Sequence, residues 1–157
     1  IETIEKNMAR QASRGKVTEE DVKSALSRIE TGTDYSGFKN CDIVIEAATE
    51  NEDIKRKIFQ EMAGCLNENT LLATNTSSIS ITRLASTTDR PEKFIGMHFF
   101  NPVPLMKLVE VIDGVCTGAH VSDVLVQLGK RMTRTPVRVK DTPGFLVNQV
   151  GRGYNIE

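Results

Sequence analysis

Asp42-Ile43-Val44-Ile45-Glu46-Ala47-Ala48 is a short, nearly continuous apolar run rich in β-branched residues, the pattern of a strand buried on both faces of a parallel sheet. A helix start follows at once. Asn51 stands as cap, Glu52 and Asp53 occupy the first turn, and Ile54, Ile58, Met62 and Cys65 recur at helical spacing. Residues 71–74 read as the next buried strand, 75–78 as a polar turn, about 80–86 as a short helix, and 94–99 as a third strand. Strand, helix, strand, helix, strand is the grammar of a doubly wound α/β sheet, in which ligands bind beyond the carboxyl ends of the strands. Three polar stations fall at such ends: Glu50 with Asn51, Asn75 to Ser78, and His98 to Asn101.

The stretch from Met97 to Asp113 is where residues are placed against the needs of folding. His98, one of two histidines, closes the apolar run Phe94-Ile95-Gly96-Met97, and Asn101, Pro102 and Pro104 then force a loop. The following run, Leu108-Val109-Glu110-Val111-Ile112, reads as a strand with Glu110 on the same face as Leu108 and Ile112. A carboxylate on an apolar face costs several kcal/mol unless it is paired, so His98 is an expected partner. A histidine held by a carboxylate is a tuned proton acceptor. The alternative is a solvated strand face and a structural histidine, and the pattern alone leaves both open.

The flanking segments are plainer. Residues 3–14 pattern as an amphipathic helix ended by Gly15, and Thr18 caps a second helix with Val22, Ala25, Leu26 and Ile29 as its inward stripe. Beyond Glu110, 122–131 is expected as a helix with Val124, Leu125 and Leu128 inward, 136–139 as a last short strand, 141–144 as a turn, and 145–154 as the beginning of a helix. The 157 residues have a formal net charge of -1, with 39% hydrophobic and 26% charged residues, so nucleic acid is not an expected partner. No apolar run is long enough to span a membrane. Three widely spaced cysteines without a CxxC pair suggest neither a disulfide framework nor a zinc site, and they fit a reducing, cytoplasmic compartment.

Three motifs in order, Asn75-Thr76-Ser77-Ser78, the run from His98 to Ile112, and Lys140 to Asn148 (KDTPGFLVN), resemble the 3-hydroxyacyl-CoA dehydrogenase family. The resemblance runs from Cys41 onward. It implies a Rossmann-type, NAD-dependent oxidoreductase that converts a (3S)-3-hydroxyacyl-CoA to the 3-oxoacyl-CoA, in β-oxidation or butanoate-type metabolism. His98 would be the base, Glu110 the carboxylate that supports it, and Ser77 and Asn148 the groups that meet the substrate oxygen. Glu50, Lys55, Asn75, Ser77 and Asn101 would lie on the cofactor side. For Ser77 the competing role is a helix cap, and for Lys55 a solvated helix face. His120 falls outside every motif and reads as a surface histidine. Gln149 stands where many relatives have arginine, and Gly151-Arg152-Gly153-Tyr154 is more glycine-rich than the helix usually found there.

None of the eleven glycines forms the G-x-G-x-x-G turn that holds a dinucleotide pyrophosphate. The resemblance therefore implies a partial Rossmann domain over 1–140, lacking its first strands and glycine-rich turn, with 141–157 as linker and start of a helical C-terminal domain that supplies a homodimer contact. Acyl-CoA is the implied partner and no metal is implied. Such a piece alone is expected to be inactive. A relative that kept the fold as a structural protein, as lens crystallins of this family do, is the competing reading.

Overall fold

The computed structural model describes residues 1–154. The chain divides into two compact units, residues 1–34 and everything from Tyr35 onward. In the first, α1 (Glu2–Ser13) ends at Gly15, whose φ of 66° is the left-handed conformation glycine adopts without strain. Thr18 caps α2 (Glu19–Leu26) in a reciprocal box: its hydroxyl accepts from the Asp21 N–H, and the Asp21 carboxylate accepts from the Thr18 N–H. The expected stripe of Val22, Ala25, Leu26 and Ile29 is only half-buried, and neither helix has a fully buried residue. Two helices this short leave much of each stripe uncovered.

The second unit is a five-stranded sheet in the order β1 (Ile43–Glu46), β2 (Leu71–Thr74), β3 (Phe94–Phe99), β4 (Leu108–Asp113), β5 (Thr135–Lys140). The first three strands run parallel, β4 is antiparallel to β3, and β5 is again parallel to β4. Helices α3 (Glu52–Met62), α4 (Ile81–Ala85) and α5 (Ala119–Arg131) make the parallel crossovers, and α6 (Val147–Tyr154) follows β5. A 3-10 turn at Ser36–Asn40, not foreseen from sequence, leads into β1.

Alternate strand residues feed two cores, one on each face. Leu72, Phe94 and Ile112 join Phe59, Met62, Ile81, Leu84 and Phe145, whereas Ala73, Ile95, Met97, Val109 and Val111 join Val121 and Leu125. Three expected faces differ. β1 is not buried on both sides: Val44 and Glu46 are, but Ile45 is 38% exposed, because β1 forms one edge of the sheet. In α3 the buried residues are Lys55, Phe59 and Met62, and Ile54 is exposed. In α5 the buried side is Val121, Ser122, Leu125 and Gly129, with Val124 exposed. There the Ser122 hydroxyl donates to the buried Asp113 carboxylate, and Gly129 lets the helix approach Pro136, so polar and small residues face inward.

One glycine is required by packing. A Cβ on Gly96 would stand 2.9 Å from Cβ of Ile112 and 2.7 Å from Cδ1 of Ile81, so β3 is kept bare where α4 crosses it. Gly96→Ala is expected to cost about 1–3 kcal/mol by overpacking, seen as a lower urea midpoint with an unchanged m-value.

The short α4 is held from outside itself. Ser80 caps it, and the Asp141 carboxylate accepts from the Ser80 hydroxyl and the Thr82 N–H, each at 2.8 Å. Burial pushes the Asp141 carboxyl up, but the hydrogen bonds from Thr82, Ser80 and the Ile81 backbone outweigh it and hold it below its ordinary value of 3.8. A carboxyl depressed in the folded state stabilises fully above its unfolded value and stops doing so as pH falls through the folded one. The stability difference between the natural chain and Asp141→Asn is therefore expected to be constant at neutral pH and to shrink below 3.8, followed by urea midpoints across pH.

Candidate active site at the carboxyl edge of the sheet

His98 and Glu110 are directly opposed residues of the antiparallel β3–β4 pair. Directly opposed side chains in such a pair share one face at close range. Both side chains are buried, and Nδ1 of His98 lies 2.8 Å from Oε2 of Glu110. The other oxygen, Oε1, accepts from the backbone N–H of Leu146 at 3.0 Å and of Val147 at 2.9 Å. A carboxylate that is an acceptor on both oxygens places the hydrogen on Nδ1, which leaves the Nε2 lone pair as the proton-accepting position. Nε2 has no hydrogen-bond partner among the described residues. The rings of Phe100 and Phe145 flank the imidazole with centroids 4.4 and 6.0 Å away, an apolar wall that limits water around the pair. This geometry is a polarised histidine of the kind that takes a proton from a hydroxyl.

The second station is the turn after β2. Glu50, exposed before α3, gathers it through a single oxygen, accepting from the Thr76 hydroxyl at 2.7 Å, the Ser77 N–H at 2.8 Å and the Ser78 hydroxyl at 3.3 Å. Ser77 is exposed, and its carbonyl accepts from Nδ2 of Asn148 on α6 at 3.2 Å. The capping role open to Ser77 falls instead to Ser80. Asn75 ties the two stations together: its Oδ1 accepts from the N–H of Phe99, the residue after His98, at 3.0 Å, and its own N–H donates to the Glu46 carbonyl at 2.7 Å. Glu50, Asn75, Ser77, His98, Glu110 and Asn148 thus form one hydrogen-bonded neighbourhood. Asn101 is exposed in the loop after β3, and no described contact ties it to the others. His120 is exposed, away from every motif. No three of the His, Cys, Asp and Glu side chains among the described residues gather as a metal ion would need.

Lys55 does not take the solvated helix position open to it from sequence. It is 0% exposed, and its ammonium is committed within the protein. Nζ donates to Oε2 of Glu46 at 2.5 Å, to the Asn75 carbonyl at 3.0 Å and to the Thr74 hydroxyl at 3.3 Å, and the Thr74 hydroxyl donates to the same Glu46 oxygen at 2.8 Å. Lys55 therefore holds Asn75 from below. Glu46 and Thr74 were not among the residues singled out from sequence, although an acid at the end of an apolar run is itself the signal that a cation must come to meet it. Removing one partner strands the other charge in the core. Lys55→Ala is expected to destabilise by about 3–5 kcal/mol, and Lys55→Met with Glu46→Leu by much less, compared in a double-mutant cycle of urea midpoints.

Comparison with known proteins identifies the family. The family model described as "3-hydroxyacyl-CoA dehydrogenase, NAD binding domain" matches residues 1–142. The chain is 44% identical over 147 residues to a 3-hydroxybutyryl-CoA dehydrogenase of Clostridioides difficile, covering 94% of this chain and 52% of the relative. It is 48% identical over 143 residues to the fatty acid oxidation complex subunit alpha of Acinetobacter baylyi, covering 91% of this chain and 20% of that one. The crystal structure of (S)-3-hydroxybutyryl-CoA dehydrogenase from Ralstonia eutropha superimposes with a TM-score of 0.93 at 44% identity, covering 99% of this chain and 58% of that chain. The chain spans about half the length of the curated 3-hydroxybutyryl-CoA dehydrogenases it matches. With a buried His98–Glu110 pair on a Rossmann-type sheet and a match over nearly its whole length, the chain belongs to the family of 3-hydroxyacyl-CoA dehydrogenase NAD-binding domains.

Proposed function

We propose that this chain is the cofactor-binding part of an enzyme that oxidises the 3-hydroxyl of a (3S)-3-hydroxyacyl-CoA to the ketone, with His98 as base and Glu110 as its support. The observation that carries the reading is the buried 2.8 Å contact between Nδ1 of His98 and Oε2 of Glu110. Nε2 accepts the hydroxyl proton, and the ionised Glu110 stabilises the imidazolium that results without taking the proton itself. NAD, when bound, accepts the hydride from the same carbon. Loss of one proton to His98 and one hydride to the cofactor balances the conversion of alcohol to ketone.

The residues present fit the nicotinamide end of such a cofactor. At the carboxyl edge the Asn75 Nδ2 donors have no partner among the described residues, its Oδ1 alone being engaged there, and Ser77 and Glu50 are exposed beside it. Asn101 would serve the same side, and Lys55 would act by holding Asn75 rather than by touching the ligand. Ser77 and Asn148, joined by a hydrogen bond, would bracket the substrate oxygen. The turn for the pyrophosphate is not found in the 157 residues, so binding strength would depend on further chain. Residues 141–154 are read as linker and first part of a helical domain that closes the site and carries a homodimer contact, and 155–157, included in that reading from sequence, lie outside the described residues. No helix among the described residues is long and apolar enough to cross a membrane, and the whole protein is read as cytoplasmic.

The test is NADH-dependent reduction of acetoacetyl-CoA by a longer protein that carries this domain, beside the 157-residue chain alone. Turnover is expected from the longer protein and not from the chain alone. His98→Gln is expected to lower kcat by at least about 10²-fold with NAD binding retained, and Glu110→Gln by a similar order. NAD binding without turnover in the unsubstituted longer protein would overturn the enzymatic reading in favour of a structural relative.

A further inference from the structure

Glu110 does more than face His98. Its carboxylate, 0% exposed, is shared among Nδ1 of His98 and the N–H groups of Leu146 and Val147. Those two N–H groups belong to the opening of α6, where helix geometry leaves the first donors without an intrahelical acceptor. The chain reaches them through Gly144 and Phe145, both left-handed, with φ of 77° and 52°. That conformation is unfavourable for a bulky residue and persists only where the surroundings fix it. Here they do: Phe145 is 1% exposed, and its ring stands beside His98.

We propose that the first turn of α6 is a positioning element for His98, acting through Glu110: the N–H groups of Leu146 and Val147 lock the carboxylate in place and draw part of its negative charge away from the imidazole. A carboxylate that accepts several N–H bonds offers less charge to each partner. Withdrawing one donor makes it grip the imidazolium harder. As far as it concerns turnover the idea rests on the dehydrogenase reading, whereas the coupling itself belongs to the fold.

The charged groups on the surrounding elements are engaged elsewhere. Glu46 and Lys55 neutralise one another below β2, and Asp113 at the far end of β4 pairs with Arg138 on β5. Arg83 on α4 pairs with Glu52, and Asp141 takes its bonds from Ser80 and Thr82. Asp123, Lys130 and Arg131 of α5 are exposed on a helix that packs with the opposite core. None of them shares an ion pair or hydrogen bond with His98 or Glu110.

The experiment is a ¹H–¹⁵N NMR pH titration of the 157-residue chain, which has two histidines, so that a His120→Gln variant assigns His98 Hε1. The Leu146 and Val147 amide resonances are expected to move with the same midpoint as His98 Hε1. Val147→Pro deletes one of the two donors at the first helical position, where proline is tolerated, and Val147→Ala keeps it. The proline variant is expected to move the His98 midpoint upward, and the alanine variant to leave it in place. Equal midpoints in the two variants, or amides at 146 and 147 that ignore the titration of His98, would overturn the proposal. If Val147→Pro loses its amide dispersion and is unfolded, the co-titration in the unsubstituted chain decides alone. Absence of turnover in a longer protein would count against the dehydrogenase reading and leave the titration result standing.

Discussion

The antiparallel register between β3 and β4 is the constraint on which the site depends. It sets His98 opposite Glu110, and a shift of one residue would send the two side chains to opposite faces. Burial does the rest. In water an imidazole and a carboxylate attract weakly, but inside the sheet each is the other's means of satisfying polar atoms that could not otherwise be buried. The same carboxylate fastens the chain after β5, so α6 and Asn148 are registered against β3 by the group that orients the histidine. Gly96, two residues before His98 on the same face, permits the close approach of Ile81 and Ile112 that keeps this part of the sheet rigid.

A second buried charge pair supports the neighbouring strands. Glu46, Lys55 and Thr74 lie beneath the turn that carries Asn75 and Ser77, and the Lys55 bond to the Asn75 carbonyl fixes the backbone from which that turn departs. Desolvating two charges is costly, so the arrangement persists as a means of orientation more than of stability. The Asn75 side chain is oriented separately, by the Phe99 N–H that donates to its Oδ1.

Much of the fold was legible because period and punctuation are local. The β3 strand falls at 94–99 as expected, Asn51 and Thr18 cap the helices that were placed after them, and the carboxylate of Glu110 on an apolar face pointed to a partner that is present. Family motifs named the remaining candidates, of which Glu50, Asn75, Ser77 and Asn148 are gathered by hydrogen bonds. What local pattern could not convey was partnership across the fold. The inward face of α3 is set by Lys55 reaching Glu46, and that of α5 by Ser122 reaching Asp113, so apolar spacing pointed to Ile54 and Val124 instead. The reversal of β4 was likewise unreadable, since a strand's residues do not state its direction. Nor could the sequence show backbone N–H groups as site components, because Leu146 and Val147 contribute atoms that every residue except proline carries.

The reversal between β3 and β4 has a consequence for how the site can change. It puts residues 101–107 in a loop that springs from the same edge as His98, and all seven are exposed, Leu105 at 66%. Exposed loop positions can be replaced at little cost to stability. The strands that align His98 with Glu110 and the loop beside them are thus separately mutable: selection can reshape 101–107 while the register beneath it stays fixed.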